Sequence, residues 1–286
     1  MNKKIVKNLF YLIIYSFFGY CLESVVAIVT KGVIESRQSF VYGPFCVIYG
    51  IGAIILISIL SNFKNQNFKL FFFGMFIGCS VEYLGSLLGE KMLGFAWWNY
   101  SNMFLNINGR TSLFYAICWG IISIFLINFI NPNINKLFEK LIVLLAFPKL
   151  QLATYILALF FLFDALLSGF ALNNFYNNTI HENNIGTPFE LAYLEDFHNA
   201  FKNSNFSNFI NKTFTNEKMI KIYPNILLPT ISGNYINVDS LLNSTQTYYL
   251  KVFGKLYNKQ KATNTFIGNA EYFSIIIIPS ITKRLL

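Results

Sequence analysis

The sequence predicts an all-α fold, a polytopic transmembrane helical bundle of about five spans followed by a mixed polar C-terminal tail. Three observations carry this expectation. Hydrophobic residues make up 55% of the chain and charged residues only 12%, about half the charged share of a soluble domain. The charges are segregated, with none between Gln38 and Phe63 or between Thr111 and Asn135. Both stretches exceed the ~20 residues that cross a hydrocarbon core, and both are apolar all round, where a soluble core helix keeps a polar stripe.

The spans fall at about 9–30, 43–61, 70–89, 111–130 and 151–171, which gives a transmembrane domain over 1–171 and a polar region over 172–286. The basic start (Lys3, Lys4, Lys7) runs into an apolar stretch too long for a signal peptide and without a small-x-small site, so a retained first span is expected. The segment Leu137–Phe147 is a short apolar run interrupted by Glu139 and Lys140, which predicts an interfacial helix instead of a span. Lys3, Lys4, Lys7, Lys64, Lys69, Lys136, Lys140 and Lys149 fall on one side of the membrane, and Lys31, Arg37, Lys91 and Arg110 on the other. The larger set marks the cytoplasm, so a multi-pass protein with its N-terminus inside is expected; the abundance of Lys and Asn with scarce Arg points to an AT-rich bacterial genome and hence to a bacterial plasma membrane. In the tail, Leu191, Leu194, Phe197 and Phe201 have helical spacing, TYYLKVF is strand-like, and an IIII run is too short to span.

The net charge of +9 comes mostly from lysines that flank the apolar spans, which explains them without a nucleic-acid partner. Cys21, Cys46, Cys79 and Cys118 lie one to a span, and no His precedes His181. That spacing offers no metal site, so packing roles are expected for the cysteines, with no cofactor.

The first and third spans resemble each other. FFGYCLES aligns with FIGCSVEY, which places Gly19 on Gly78 and Glu23 on Glu82, and Gly43 precedes Tyr49 as Gly109 precedes Tyr115. The pattern predicts a parallel two-hairpin repeat that brings Glu23 and Glu82 towards each other. Four-residue spacing puts Ser16, Gly19 or Tyr20, Glu23 and Ala27 on one helix face, and Gly74, Gly78, Glu82 and Ser86 on another. Small residues let helices approach closely in lipid, so these faces are expected to turn inward.

A carboxylate inside a span costs roughly 2.5–3.5 kcal/mol on insertion scales, so it has a partner or a task. Glu23, Glu82 and Asp164 are such groups, with Glu90 at the interface. Arg37 and Arg110 in the following loops suit bidentate pairing, as Arg37–Glu23 and as Arg110–Glu82 or Arg110–Glu90. Asp164, one turn before Ser168, either joins the glutamates or makes a helix–helix hydrogen bond. The loop GFAWWNYSNMFLNINGR supplies Trp97, Trp98 and Asn108, as a headgroup-level anchor or as a lid over substrate. Gly43-Pro44 is expected to open the second span. Nucleotide-binding, zinc-protease and serine-hydrolase motifs are absent from the chain, which leans against an enzyme and leaves catalytic residues unassigned.

The chain resembles the bacterial ABC-transporter permease family (type IV). The resemblance rests on Gly19–Glu23, GPFCVIYGIG at 43–52, VEYLGSLLGEKMLG at 81–94, WWNY at 97–100, NINGR at 106–110, and Trp119-Gly120 followed by Asn131-Pro132. It covers about residues 10–135, and more loosely extends to Ser168. It implies a membrane-transport component and a separate ATPase subunit, although no coupling-loop motif is evident in the chain. The bilayer is the expected partner, and a homo-oligomer is compatible with the sequence. The expected function is transport through a polar intramembrane site. The alternatives are an interfacial enzyme on lipid or envelope precursors that uses the paired carboxylates, and a structural or assembly protein.

Overall fold

The computed structural model describes residues 3–241 and the pair 250–251. The IIII run, and all of TYYLKVF except Leu250 and Lys251, lie outside the described residues. Over the described residues the chain is an all-α polytopic bundle with almost no strand. Helix α1 (Lys3–Lys31) rises to one side of the bundle, called here the loop side, and after the two-residue strand β1 (Val33–Ile34) helix α2 (Val47–Leu60) returns. Helix α3 (Asn67–Leu93) rises again, and α4 (Leu113–Phe125) descends through a π-helical turn into α5 (Asn131–Leu145). Helix α6 (Phe147–Glu182) then runs back to the loop side. Among the described residues, four helical stretches are long and apolar enough to cross a membrane: 3–30, 67–93, 113–145 and 147–182. The apolar segment Val47–Phe63 is shorter.

Three boundaries differ from the sequence expectation. First, the helix of the fourth expected span does not stop at 130 but continues through 137–145. The π turn at Leu126–Ile130 has a wider hydrogen-bond ring, which accommodates Pro132 without breaking the rod. Helix α5 then lies along the lower half of α1. Tyr15 donates to Asn131 at 3.3 Å, Tyr11 donates to Asn135, and Lys3 pairs with Glu139 at 2.9 Å. Second, α6 continues past 171 to Glu182. Its polar end is helical and buried because its amides find partners. Asn173 donates to the Leu194 carbonyl at 3.0 Å, and Asn177 to the Asn173 carbonyl at 2.8 Å. Third, Gly43-Pro44 does not open α2. Gly43 turns the chain with φ +75°, and the helix starts at Val47.

The inward faces match the small-residue ladders. The buried residues of α3 are Leu70, Gly74, Gly78, Glu82 and Ser86. A Cβ added to Gly78 would overlap Trp119, and one added to Gly19 would overlap Tyr49. Each hairpin is therefore closed by a glycine on one helix and a large ring on the next. The match is offset by one turn, because the counterpart of Tyr49 in the predicted repeat is Tyr115, not Trp119.

Beyond α6, helices α7 (Tyr193–Phe201), α8 (Asn205–Thr213) and α9 (Asn216–Ile222) are followed by a hairpin of β2 (Leu227–Pro229) and β3 (Tyr235–Asn237). Their core, which includes Phe214, Met219 and Leu228, is continuous with Phe175 and Tyr176 of α6 and with Phe95 of the loop after α3.

Candidate functional site

Both loop-side connections descend into the bundle. In the first, the Cys46 amide donates to the Ser16 carbonyl at 2.8 Å. Ser16 lies roughly 22 Å below the end of α1 at 1.5 Å per residue. Helix α2 is short because it starts at that depth. In the second, Thr111 donates to Glu82 at 2.7 Å, roughly 16 Å below the end of α3. The first turns of α2 and α4 therefore lie inside the bundle, where the partial positive charge of a helix N-terminus favours neighbouring carboxylates.

The second loop, 94–112, is folded on itself. Tyr100 donates its amide to the Gly109 carbonyl at 2.7 Å, and Ile107 to Thr111 at 2.9 Å. Asn106 clamps the tip through the Ser101 and Met103 carbonyls, and accepts from the Gly109 amide at 3.0 Å. Asn108 and Gly109 are both left-handed, at φ +52° and +67°. A side chain on Gly109 would meet Asn99 Oδ1, so glycine is required there.

Glu23 and Glu82 come within electrostatic reach of each other and of Tyr49, Tyr100 and Tyr115. Tyr49 donates to Glu23 at 2.5 Å, and Tyr100 approaches Glu82 at 3.4 Å. Tyr100 stacks on Tyr115 with centroids 4.2 Å apart, and Tyr49 lies 6.0 Å from Trp119. Arg37 pairs with Glu35 and reaches Glu23 at 4.0 Å. Arg110 pairs with Glu90 at 3.1 Å and donates to Ser86 at 3.0 Å. Of the two partners expected for Arg110, it takes Glu90, while Glu82 is held by hydroxyls.

Other expected site residues lie elsewhere. Asp164 is buried on α6 and accepts from the Tyr42 amide at 3.2 Å and from Ser168 at 3.5 Å. Ser168 in turn accepts from the Val41 amide at 2.8 Å, so this pair pins the first loop to α6 instead of joining the glutamates. Trp97 packs edge-on against Tyr223 at 5.4 Å. Trp98 donates to the Arg110 carbonyl at 2.9 Å and stacks on Tyr100. Of the loop aromatics, Phe104 is the one that stands out, 76% exposed. Asn108 donates to the Tyr83 hydroxyl at 2.9 Å near the surface. Sequence reasoning did not single out Glu35, Tyr100, Thr111 or Trp119 as site members. Tyr49 and Tyr115 carried a signal in the repeat, each six residues after a left-handed glycine.

The family model described as "Putative ABC-transporter type IV" matches residues 10–169, which contain both hairpins, both descending loops and Asp164. The chain belongs to that family. No curated protein and no solved structure matches the chain. The family match ends within α6, so the α7–β3 region lies beyond the part shared with the ABC-transporter type IV family.

Proposed function

We propose that this chain is the membrane-embedded component of a transporter, with a polar site formed by Glu23, Glu82, Arg37 and Arg110 that opens towards the loop side. One observation carries the proposal. Two helix–loop–helix units each send a loop into the bundle and place a carboxylate beside the first turn of a helix that begins there. Helix ends inside a membrane bundle are one form in which transporters present polar groups to a substrate. The two units are read as a parallel repeat, with Glu23 and Glu82 as equivalent positions. An intramembrane carboxylate with hydroxyl partners can also exchange a proton, and Glu82 is such a group. The loop side is taken as extracytoplasmic, because the lysine-rich connections lie on the opposite side. An ATPase partner follows from the family description alone.

The test is affinity purification of the tagged chain from native membranes, followed by reconstitution. A stoichiometric ATPase is expected, whose hydrolysis falls at least tenfold with Glu23→Gln plus Glu82→Gln while the assembly stays intact. Purification without an ATPase, or turnover of a lipid precursor by the chain alone, would overturn the transport reading.

A further inference from the structure

Helices α7 and α8 carry two apolar faces. One is internal: Leu194 and Ile210 are buried in the core shared with α6. The other is a ridge of rings. Phe189, Tyr193, Phe197 and Phe201 follow at four-residue spacing through the turn before α7 and along the helix, and Phe206 and Phe209 continue the ridge on α8. All six are exposed, from 40% at Phe201 and Phe206 to 95% at Phe189. At about 150–250 Å² per ring, their free surface is roughly 600 Å², as large as the largest apolar patch of a typical soluble monomer. Asp196, Asn199, Asn205 and Asn208 are exposed on the remaining sides of the two helices.

The position of the ridge identifies what covers it. Phe170 of α6 packs against Phe197, Phe201 and Phe206, with centroids 5.0–5.6 Å apart. Below it, Leu152, Ile156, Leu159, Phe163 and Leu166 are all exposed and share one stripe of a helix long and apolar enough to cross a membrane. Phe170 is the next residue on that stripe, roughly 27 Å above Leu152. That separation is close to the ~30 Å hydrocarbon thickness. The ridge therefore continues the surface that α6 turns to lipid, at the depth where amphipathic rings are enriched. Charge does not compete with this reading. Over 189–213 the carboxylates are Glu190, Glu195 and Asp196 and the lysines Lys202 and Lys212, a balance that gives no pull towards anionic lipid and leaves ring burial as the attraction.

We infer that α7 and α8 lie on the loop-side surface of the bilayer, with the aromatic ridge inserted among the head groups and first acyl carbons. The occupant of the ridge is the bilayer itself, and the Asn-bearing sides face water. The α7–β3 region then rests on the membrane beside the descending loops instead of standing clear of it. An apolar shoulder opposite a polar face is the division that a helix lying in the interface requires.

The experiment places a nitroxide on single introduced cysteines of the full chain, with Cys21, Cys46, Cys79 and Cys118 replaced by Ala, in phosphatidylcholine vesicles. Collisions with oxygen, which concentrates in the acyl region, are compared with collisions with a water-soluble nickel chelate. The oxygen-to-nickel ratio at Tyr193→Cys and Phe209→Cys is expected to be several-fold above that at Asn199→Cys and Asn208→Cys, and to approach that at Leu159→Cys within the span. All these positions are exposed, so the labels displace no core side chain. Adding phosphatidylglycerol should leave the ratios unchanged. Ratios at Tyr193→Cys and Phe209→Cys no higher than at the asparagine positions would overturn the inference. So would insertion that depends on phosphatidylglycerol, or low access to both reagents, the sign of a second copy or another part of the chain seated on the ridge. If the cysteine-free chain fails to fold, the unaltered chain is irradiated in vesicles holding a phosphatidylcholine with a photoreactive group near the head of its acyl chain. Adducts within 189–209 are then expected, and adducts confined to the spans would overturn the inference.

Discussion

Glu90 shows how one side chain ties the tail to the descending loops. It accepts from Arg110 at 3.1 Å and from the Tyr235 hydroxyl at 2.9 Å. Burial and the neighbouring Glu90 carboxylate push the Tyr235 phenol up to about 12. A raised pKa means the folded state holds the proton more tightly, so the stabilisation is complete below pH ~10 and is lost as pH rises through ~12. Thermal unfolding of the wild type in detergent should therefore lose more stability between pH 10 and 12 than Tyr235→Phe does. Equal loss would remove this contact from the account. Gly78 makes a second residue-scale prediction. Its missing side chain is occupied by Trp119, so Gly78→Ala should destabilise by about 1–3 kcal/mol. Gly169 has no atom within 4 Å of an added Cβ, so Gly169→Ala should be neutral or stabilising by up to about 1 kcal/mol. Both values can be read from melting temperatures of the purified protein.

At the scale of elements, the joint between α5 and α6 is the strained one. Ala146 sits at φ 60°, ψ 146°, a region that costs a residue with a Cβ about 1–3 kcal/mol and that glycine occupies freely. Ala146→Gly should raise stability by about 1 kcal/mol, and a drop in melting temperature would show that the joint is not strained. The helical ladders were legible in the sequence because four-residue spacing fixes which side chains share a face, whatever packs against it. The ends of the helices were less legible. Polarity alone cannot separate a loop from a helix whose amide nitrogens find carbonyl partners, as those of Asn173 and Asn177 do. Nor does Gly43-Pro44 reveal that its chain first descends about half the bundle before turning helical.

For the whole molecule, the Lys3–Glu139 pair and the 61–66 turn lie at one end, and the two descending loops and the α7–β3 region lie at the other. With the lysine-rich end cytoplasmic, Asn108→Cys should react with a membrane-impermeant thiol reagent in intact cells, and Lys64→Cys only after permeabilisation. The reverse pattern would invert the proposed orientation. The sequence by itself determined that the chain crosses a membrane as helices, because span length and the near-absence of charge within spans are local properties. It also determined that Gly74, Gly78, Glu82 and Ser86 face inward, and that Arg37 and Arg110 stand near carboxylates. The tertiary structure alone decided which carboxylate each arginine takes, since Glu82 and Glu90 lie on the same helix and the choice depends on how deep the second loop reaches. It alone brought Tyr49, Tyr100, Tyr115 and Trp119 around the glutamates, and moved Asp164 to a separate task. Those assignments follow from the depth at which α2 and α4 begin, which is set by contacts between residues far apart in the chain.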